Sequence, residues 1–157
     1  MDSEELRART KRFALRTARF CDQLPDHWQA RRIRGQLFDA ATSVAMNYRA
    51  SKRGRSRAEF IAKLGIAVEE ADESLGWLEL IVELEIARGT EVNWLTGESQ
   101  ELLAILASSQ KTAKENERRR RDEARKARQM KARQGKGRQL KDHQIEDHQI
   151  EDHQIED

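Results

Sequence analysis

Few side chains in this sequence could carry out a reaction: Cys21, four histidines and the acidic run Glu69-Glu70-Ala71-Asp72-Glu73. A di-metal carboxylate centre in a helical protein needs Glu-x-x-His pairs projecting from facing helices, and the chain contains no such pair. His143, His148 and His153 recur every five residues, whereas a helical metal site sets its ligands four apart. His27 reads as a capping or solvent-facing residue. Two carboxyls that work by proton transfer need a pocket and shifted pKa values, so the acidic run reads as a solvated face. Glu70 and Glu73, on one side with Trp77, could also form a salt-bridge surface toward basic helices. Cys21 has no histidine at a fixed spacing to activate it and reads as a small buried hydrophobe. No glycine-rich loop offers to cradle a phosphate. The expectation is no catalytic residue, no metal, no cofactor and no enzyme.

Cationic side chains, by contrast, are abundant and clustered. Arg9, Arg12, Arg16 and Arg19 step along one helical face, and Arg49, Lys52, Arg53, Arg55 and Arg57 crowd a single segment. Arg118, Arg119, Arg120 and Arg121 open a third run that continues to Lys141. Dense arginine without base-reading motifs fits binding to phosphate backbones, which is salt-dependent and largely sequence-independent. The same pattern would also suit solvated helix faces that keep a protein soluble. Aromatics interleaved with the cations are missing, which disfavours stacking on the bases of single strands.

The net charge of +2 hides a segregation of sign. Residues 1–57 carry +8 and residues 58–110 carry −9, while residues 111–141 carry +10 and residues 142–157 carry −7. Blocks on this scale create local potentials that the overall charge does not report. With 157 residues, 37% hydrophobic, 37% charged and a single proline, the composition fits one helical domain and excludes a membrane span or a turn-rich β-sandwich. One cysteine rules out an internal disulfide framework, and the charged start Met1-Asp2-Ser3-Glu4-Glu5 lacks the apolar stretch of a secretory signal, so a cytoplasmic protein is expected.

Helices have to position these cations. Leu6, Thr10, Phe13, Thr17, Phe20 and Leu24 form one helical face that stops at Pro25. Asp26 with Gln29 forms a capping box for a second helix whose seam is Ile33, Leu37, Ala40, Val44 and Asn47, ending near Gly54. Asn47 on that seam is read as a buried amide that fixes register. Ser56 with Glu59 caps a third helix, with Ile61, Leu64, Val68, Ala71, Leu75, Leu78, Val82 and Ile86 inward and Gly89 ending it. Trp77, Leu80, Ile81 and Leu84 widen its apolar arc beyond what one neighbouring helix can cover, so part of that arc is expected to meet a partner. A fourth seam runs Leu95, Ser99, Leu102, Leu106, Ser109 and Ala113, starting at Thr90 or, if Gly97 interrupts it, at Thr96 or Ser99.

The expected fold is all-α: an antiparallel up-and-down four-helix bundle over residues 1–115, then an arginine-rich extension over 116–141. Glu115–Arg119, Glu117–Arg121 and Asp122–Lys126 sit four apart and would support helix there, with Gly135 and Gly137 ending it. From Asp142 the unit Asp-His-Gln-Ile-Glu repeats with a period that fits neither helix nor strand, so residues 142–157 are expected to be disordered.

Several stretches carry a family likeness. Phe13-Ala14-Leu15-Arg16, Ala41-Thr42-Ser43-Val44-Ala45-Met46-Asn47-Tyr48-Arg49, Ser56-Arg57-Ala58-Glu59-Phe60, Lys63-Leu64-Gly65-Ile66-Ala67, Glu69-Glu70-Ala71-Asp72-Glu73-Ser74 and Trp77-Leu78-Glu79-Leu80 together resemble the bacterial four helix bundle protein family. That family includes the proteins encoded in 23S ribosomal RNA intervening sequences and is similar to the accessory variability proteins of diversity-generating retroelements. The chain has Ala45-Met46 where the family usually has Gly-Ala, which would add bulk at a close helix contact. The resemblance implies a homopentameric ring with a basic surface and, for retroelement members, binding to a reverse transcriptase and nucleic acid.

The sequence therefore predicts a non-enzymatic, homo-oligomeric bundle that binds nucleic acid, RNA foremost, or a nucleic-acid-handling protein, through Arg9, Arg12, Arg16, Arg19, Arg49, Lys52, Arg53, Arg55, Arg57 and Arg118 to Arg121. Asn47, Tyr48, Trp77, Leu80, Ile81 and Leu84 are the expected packing or oligomer positions. The alternative is a protein-interaction scaffold that uses the apolar and acidic face of the third helix and binds no nucleic acid.

Overall fold

Asp2 opens the first helix: its Oδ1 accepts hydrogen bonds from the amides of Glu4 and Glu5, each at 2.8 Å. Helix α1 then spans Ser3–Gln23, and Pro25, which has no amide hydrogen to give, lies just beyond its end. A computed structural model describes residues 2–153, with side chains described for 2–132. The remaining helices are α2 (Trp28–Ser51), α3 (Arg57–Glu83) and α4 (Thr90–His153), and no strand occurs among the described residues.

The caps explain where each helix begins. His27, not Asp26, caps α2, because its Nδ1 accepts from the Ala30 amide at 3.4 Å. Asp26 is turned instead toward Arg31, at 3.3 Å. Ser56 caps α3 by accepting from the Glu59 amide at 3.1 Å, while the Glu59 carboxylate reaches back to the Arg55 amide at 2.8 Å. This is the predicted capping box, closed one residue early.

Helix α3 ends at Glu83, earlier than Gly89 suggested. The Ile86 amide donates to the Ile81 carbonyl at 2.9 Å and the Glu85 amide to the Val82 carbonyl at 3.1 Å. These two bonds define a Schellman ending, which requires a left-handed residue in the position of Glu85; Glu85 has φ 56°. Gly89, at φ 116°, instead serves the entry to α4, its carbonyl accepting from the Asn93 amide at 3.2 Å. Helix α4 starts at Thr90 and runs through Gly97.

Cross-helix bonds fix the topology. Tyr48 Oη donates to the Ser3 carbonyl at 3.2 Å and Cys21 Sγ to the Arg34 carbonyl at 3.6 Å, so α1 and α2 run antiparallel. Ser99 Oγ donates to the Ala71 carbonyl at 3.1 Å, and a side chain at Gly65 would meet Gln110, so α3 and α4 run antiparallel too. Arg9 pairs with Glu98 and Arg16 with Glu91, which sets α4 antiparallel to α1. With α2 packed on α3 as well, the result is the expected up-and-down four-helix bundle. Its core joins Leu6, Phe13 and Phe20 of α1 to Leu37 and Val44 of α2, Leu64, Leu78 and Ile81 of α3, and Val92, Leu95, Leu102 and Leu106 of α4.

The residues up to Lys114 form one compact unit and those from Glu115 a second. Helix α4 continues past Gly135 and Gly137 as far as His153. Residues 154–157 lie outside the described residues.

Candidate nucleic-acid interface

The α1 arginines divide by the side of the helix on which they emerge. Arg9 faces α4, where its Nε and Nη2 donate to the two carboxylate oxygens of Glu98 at 2.7 and 2.9 Å, and Nη2 also contacts Glu101. Glu98 is only 8% exposed. Hydrogen bonds to Glu98 and Glu101 raise the Arg9 pKa, so the guanidinium is permanently charged. Arg16, two turns on, donates through Nε to Glu91 at 2.9 Å and lies 3.6 Å from the centroid of the Trp94 ring. Its hydrogen bonds draw the Glu91 carboxyl below its ordinary range. Arg9 and Arg16 are thus helix cross-links rather than free cations, which corrects the expectation that all four arginines present one binding face. Arg12 and Arg19 are exposed and form no ion pair among the described residues.

The connection between α2 and α3 is a tight, hydrogen-bonded display of charge. The Arg53 amide donates to the Ala50 carbonyl at 3.0 Å and the Gly54 amide to the Ser51 carbonyl at 3.2 Å. Glycine keeps this turn uncrowded, since a Cβ at position 54 would lie a tight 3.2 Å from both the Ser51 carbonyl oxygen and the Phe60 amide nitrogen. Around this turn Arg49, Lys52, Arg53, Arg55 and Arg57 are all exposed and none forms an ion pair among the described residues. Lys52 Nζ sits 5.5 Å from the Tyr48 ring centroid and 5.6 Å from that of Phe60, within cation–π range.

In the second unit, Glu117 accepts from Arg120 at 3.1 and 3.2 Å and from Arg121 at 2.9 Å, which holds its carboxyl below the usual range. Arg119 turns to Asn116 at 2.6 Å rather than to Glu115. Asp122 and Lys126 form no ion pair among the described residues. Arg118 is exposed, as are Arg119, Arg120 and Arg121.

Arg7, Ala8 and Lys11 of α1 and Ala45, Met46 and Arg49 of α2 line a groove of about 430 Å³. Met46 is 57% exposed there and opens on solvent, whereas Ala45, which stands where the family usually has glycine, is buried between α1 and α2.

A comparison of the sequence with known families matches residues 4–108 to the 23S rRNA-intervening sequence protein family. The chain belongs to that family. A solved structure from Bacteroides thetaiotaomicron, described as a protein with unknown function from the S23 ribosomal protein family, is similar at 29% identity and a TM-score of 0.65. The likeness covers 71% of this chain and 99% of that one. No curated protein matches significantly. The cationic turn between α2 and α3 lies inside the family region, whereas Arg118 to Arg121 and the repeat lie beyond it.

The expected packing positions divide in the same way. Asn47 is half-buried, and its Nδ2 donates to the Ser43 carbonyl of its own helix at 3.1 Å. Tyr48 and not Asn47 completes the inward seam of α2, at 3% exposure, and its Oη bonds across to the Ser3 carbonyl of α1. Ile81 is fully buried and Trp77 is half-buried with its Nε1 donating to Glu73 at 3.1 Å, while Leu80 and Leu84 are exposed. Val82, read as inward, is exposed as well. The acidic run makes no ion pair with α1 or α2 among the described residues. Glu70 is instead held above the usual carboxylate range by partial burial and by the neighbouring Glu73, Glu69 and Asp39.

Cys21 is buried, and burial pushes its thiol up to about 11, which removes the thiolate and its reactivity. Among the described residues no cluster of three His, Cys, Asp or Glu side chains could hold a metal, and no helix is long and apolar enough to cross a membrane.

Proposed function

We propose that this family member acts by binding rather than catalysis, as a homo-oligomeric helical bundle in the cytoplasm whose cationic turn holds the phosphate backbone of nucleic acid, with RNA the foremost candidate. One observation carries the reading. Arg49, Lys52, Arg53, Arg55 and Arg57 project from a rigid, hydrogen-bonded turn without carboxylate partners among the described residues, so no ion pair has to break before a phosphate is bound. The rings beside this turn, Tyr48 and Phe60, are buried and half-buried, which favours contact with the backbone over stacking on bases there. The family's name points to 23S rRNA as the first RNA to try. Arg118 to Arg121 would add contacts, and several copies in one assembly would multiply weak ones.

The test is fluorescence anisotropy with a labelled 23S rRNA fragment at rising salt. Binding that weakens log-linearly with salt supports the reading; no binding at low salt, or binding indifferent to salt, rejects it. A second reading, a protein scaffold such as a dock for a reverse transcriptase, is favoured by the exposed Leu80, Val82 and Leu84 on α3. A protein partner retained after nuclease treatment, by a chain that does not bind RNA, would select it.

A further inference from the structure

Two of the three tryptophans have a place in the bundle: Trp94 lies under the Arg16 guanidinium, and Trp77 is half-buried with its Nε1 donating to Glu73. Trp28 has neither support. It opens α2 at 71% exposure, more than any other large apolar side chain among the described residues. Among those residues no cation covers its ring and no acceptor meets its Nε1. Tryptophan is highly buried on average, and here it adds nothing to the core.

Its neighbours on the outer face of α2 are cationic. Arg31 and Arg32 follow three and four residues later, one on each side of the line that Trp28 begins, and helical side chains lean toward the N-terminus, the end at which Trp28 stands. Arg32 is exposed and forms no ion pair among the described residues. The pair of Arg31 with Asp26, 3.3 Å long and exposed on both sides, is of the kind that is worth little in water. Gly35, next on the same line, has nothing within 4 Å of where a Cβ would lie, so the surface beyond the arginines is open. Between Trp28 and Arg53 the chain carries six cations and a single acid, Asp39. An apolar partner would find one isolated ring at this end of α2, whereas a polyanion finds a π-face with positive charge on both sides. The expectation that no aromatic stands among the cations is thereby corrected.

We propose that Trp28 is a stacking platform for one unpaired base of RNA, with Arg31 and Arg32 holding the phosphates on either side of that base. The proposal rests on the reading of this protein as an RNA binder and adds to it a site for single strands. The site is separate from the cationic turn, because the length of α2 puts about 35 Å between its first residue and its last. Duplex RNA keeps its bases stacked on one another and can use the turn but not the ring; a strand with unpaired bases can use both.

Anisotropy with a labelled oligoadenylate and a labelled blunt RNA duplex, together with tryptophan emission in the presence of the unlabelled strand, tests this on the full chain. The oligoadenylate should quench the native protein. Trp28→Ala should lose most of that quenching and bind the strand roughly tenfold more weakly, while Trp28→Phe, which keeps a ring, should bind it nearly as the native protein does. All three should bind the duplex equally and share one melting temperature by circular dichroism, since the side chain is exposed. A native protein that the strand does not quench, an unchanged affinity of Trp28→Ala for the strand, or an equal loss for strand and duplex overturns the proposal. R53E/R55E/R57E tests the turn apart: it should lose the duplex and still be quenched by saturating strand, so the two sites fail separately.

Discussion

The Arg16 guanidinium lies over the Trp94 ring, 3.6 Å from its centroid, while its Nε donates to Glu91 at 2.9 Å. One side chain of α1 thereby ties down the first turn of α4 by charge and by stacking at once. Two turns earlier on α1, Arg9 holds Glu98 and Glu101 further along α4. The bundle is therefore closed along one edge by ion pairs as well as by its apolar core, and half of the α1 arginine stripe is committed to the fold.

Arg9→Ala should show what that commitment is worth. Glu98 would remain a buried carboxylate without its partner, a defect that costs about 3–5 kcal/mol. Urea unfolding should show a loss in this range, and Arg9→Leu combined with Glu98→Leu should recover most of it, because the charge and its desolvation vanish together. A single-variant loss below about 1 kcal/mol, the range of surface pairs, would show that the contact is ordinary surface electrostatics.

Glu85→Gly is expected to stabilise the protein. A side chain in the left-handed region costs about 1–2 kcal/mol that glycine avoids, and the Arg88 pairing that would be lost is exposed on both sides and therefore worth little. A rise of about 1 kcal/mol in unfolding free energy should appear in denaturant titration.

Glu70→Gln should stabilise the bundle at neutral pH and not in acid. Glu70 is held above its ordinary value of 4.5 by burial and by Glu73, Glu69 and Asp39, so the folded state prefers the protonated acid and its ionisation opposes folding. The penalty is fully present above the raised folded-state pKa and disappears as the pH falls below the ordinary value. Melting curves should separate by about 0.5 kcal/mol at pH 7, the size of a like-charge contact, and should coincide at strongly acidic pH. The opposite pH trend would contradict the assignment.

The sequence revealed the four helices because apolar spacing and caps are local signals: Leu6, Phe13 and Phe20, or Leu95, Leu102 and Leu106, recur with the helical period and are buried. It did not reveal that Arg9 and Arg16 are spoken for, since Glu98 and Glu91 lie 89 and 75 residues away. Nor does periodicity distinguish Asn47 from Tyr48 as the last inward residue of α2; one position of drift decides it, and the drift depends on how α1 packs. The Schellman ending at Glu85 was hidden because glycine, the usual sign of such an ending, stands four residues later.

That division of the arginines also separates stability from binding. Arg53→Glu, Arg55→Glu and Arg57→Glu alter a surface that makes no ion pairs among the described residues, so together they should leave the melting temperature nearly unchanged. If the three side chains contact phosphates, their loss should flatten the dependence of log K on log salt by about 2–3, close to one unit for each contact removed. Arg16→Glu should do the reverse: it sets a carboxylate against Glu91 and removes the stack on Trp94, lowering stability while leaving the salt slope of the remaining folded protein intact. Anisotropy titrations and melting curves on both proteins check the pair, and a triple variant with an unaltered slope would remove the turn from the binding surface.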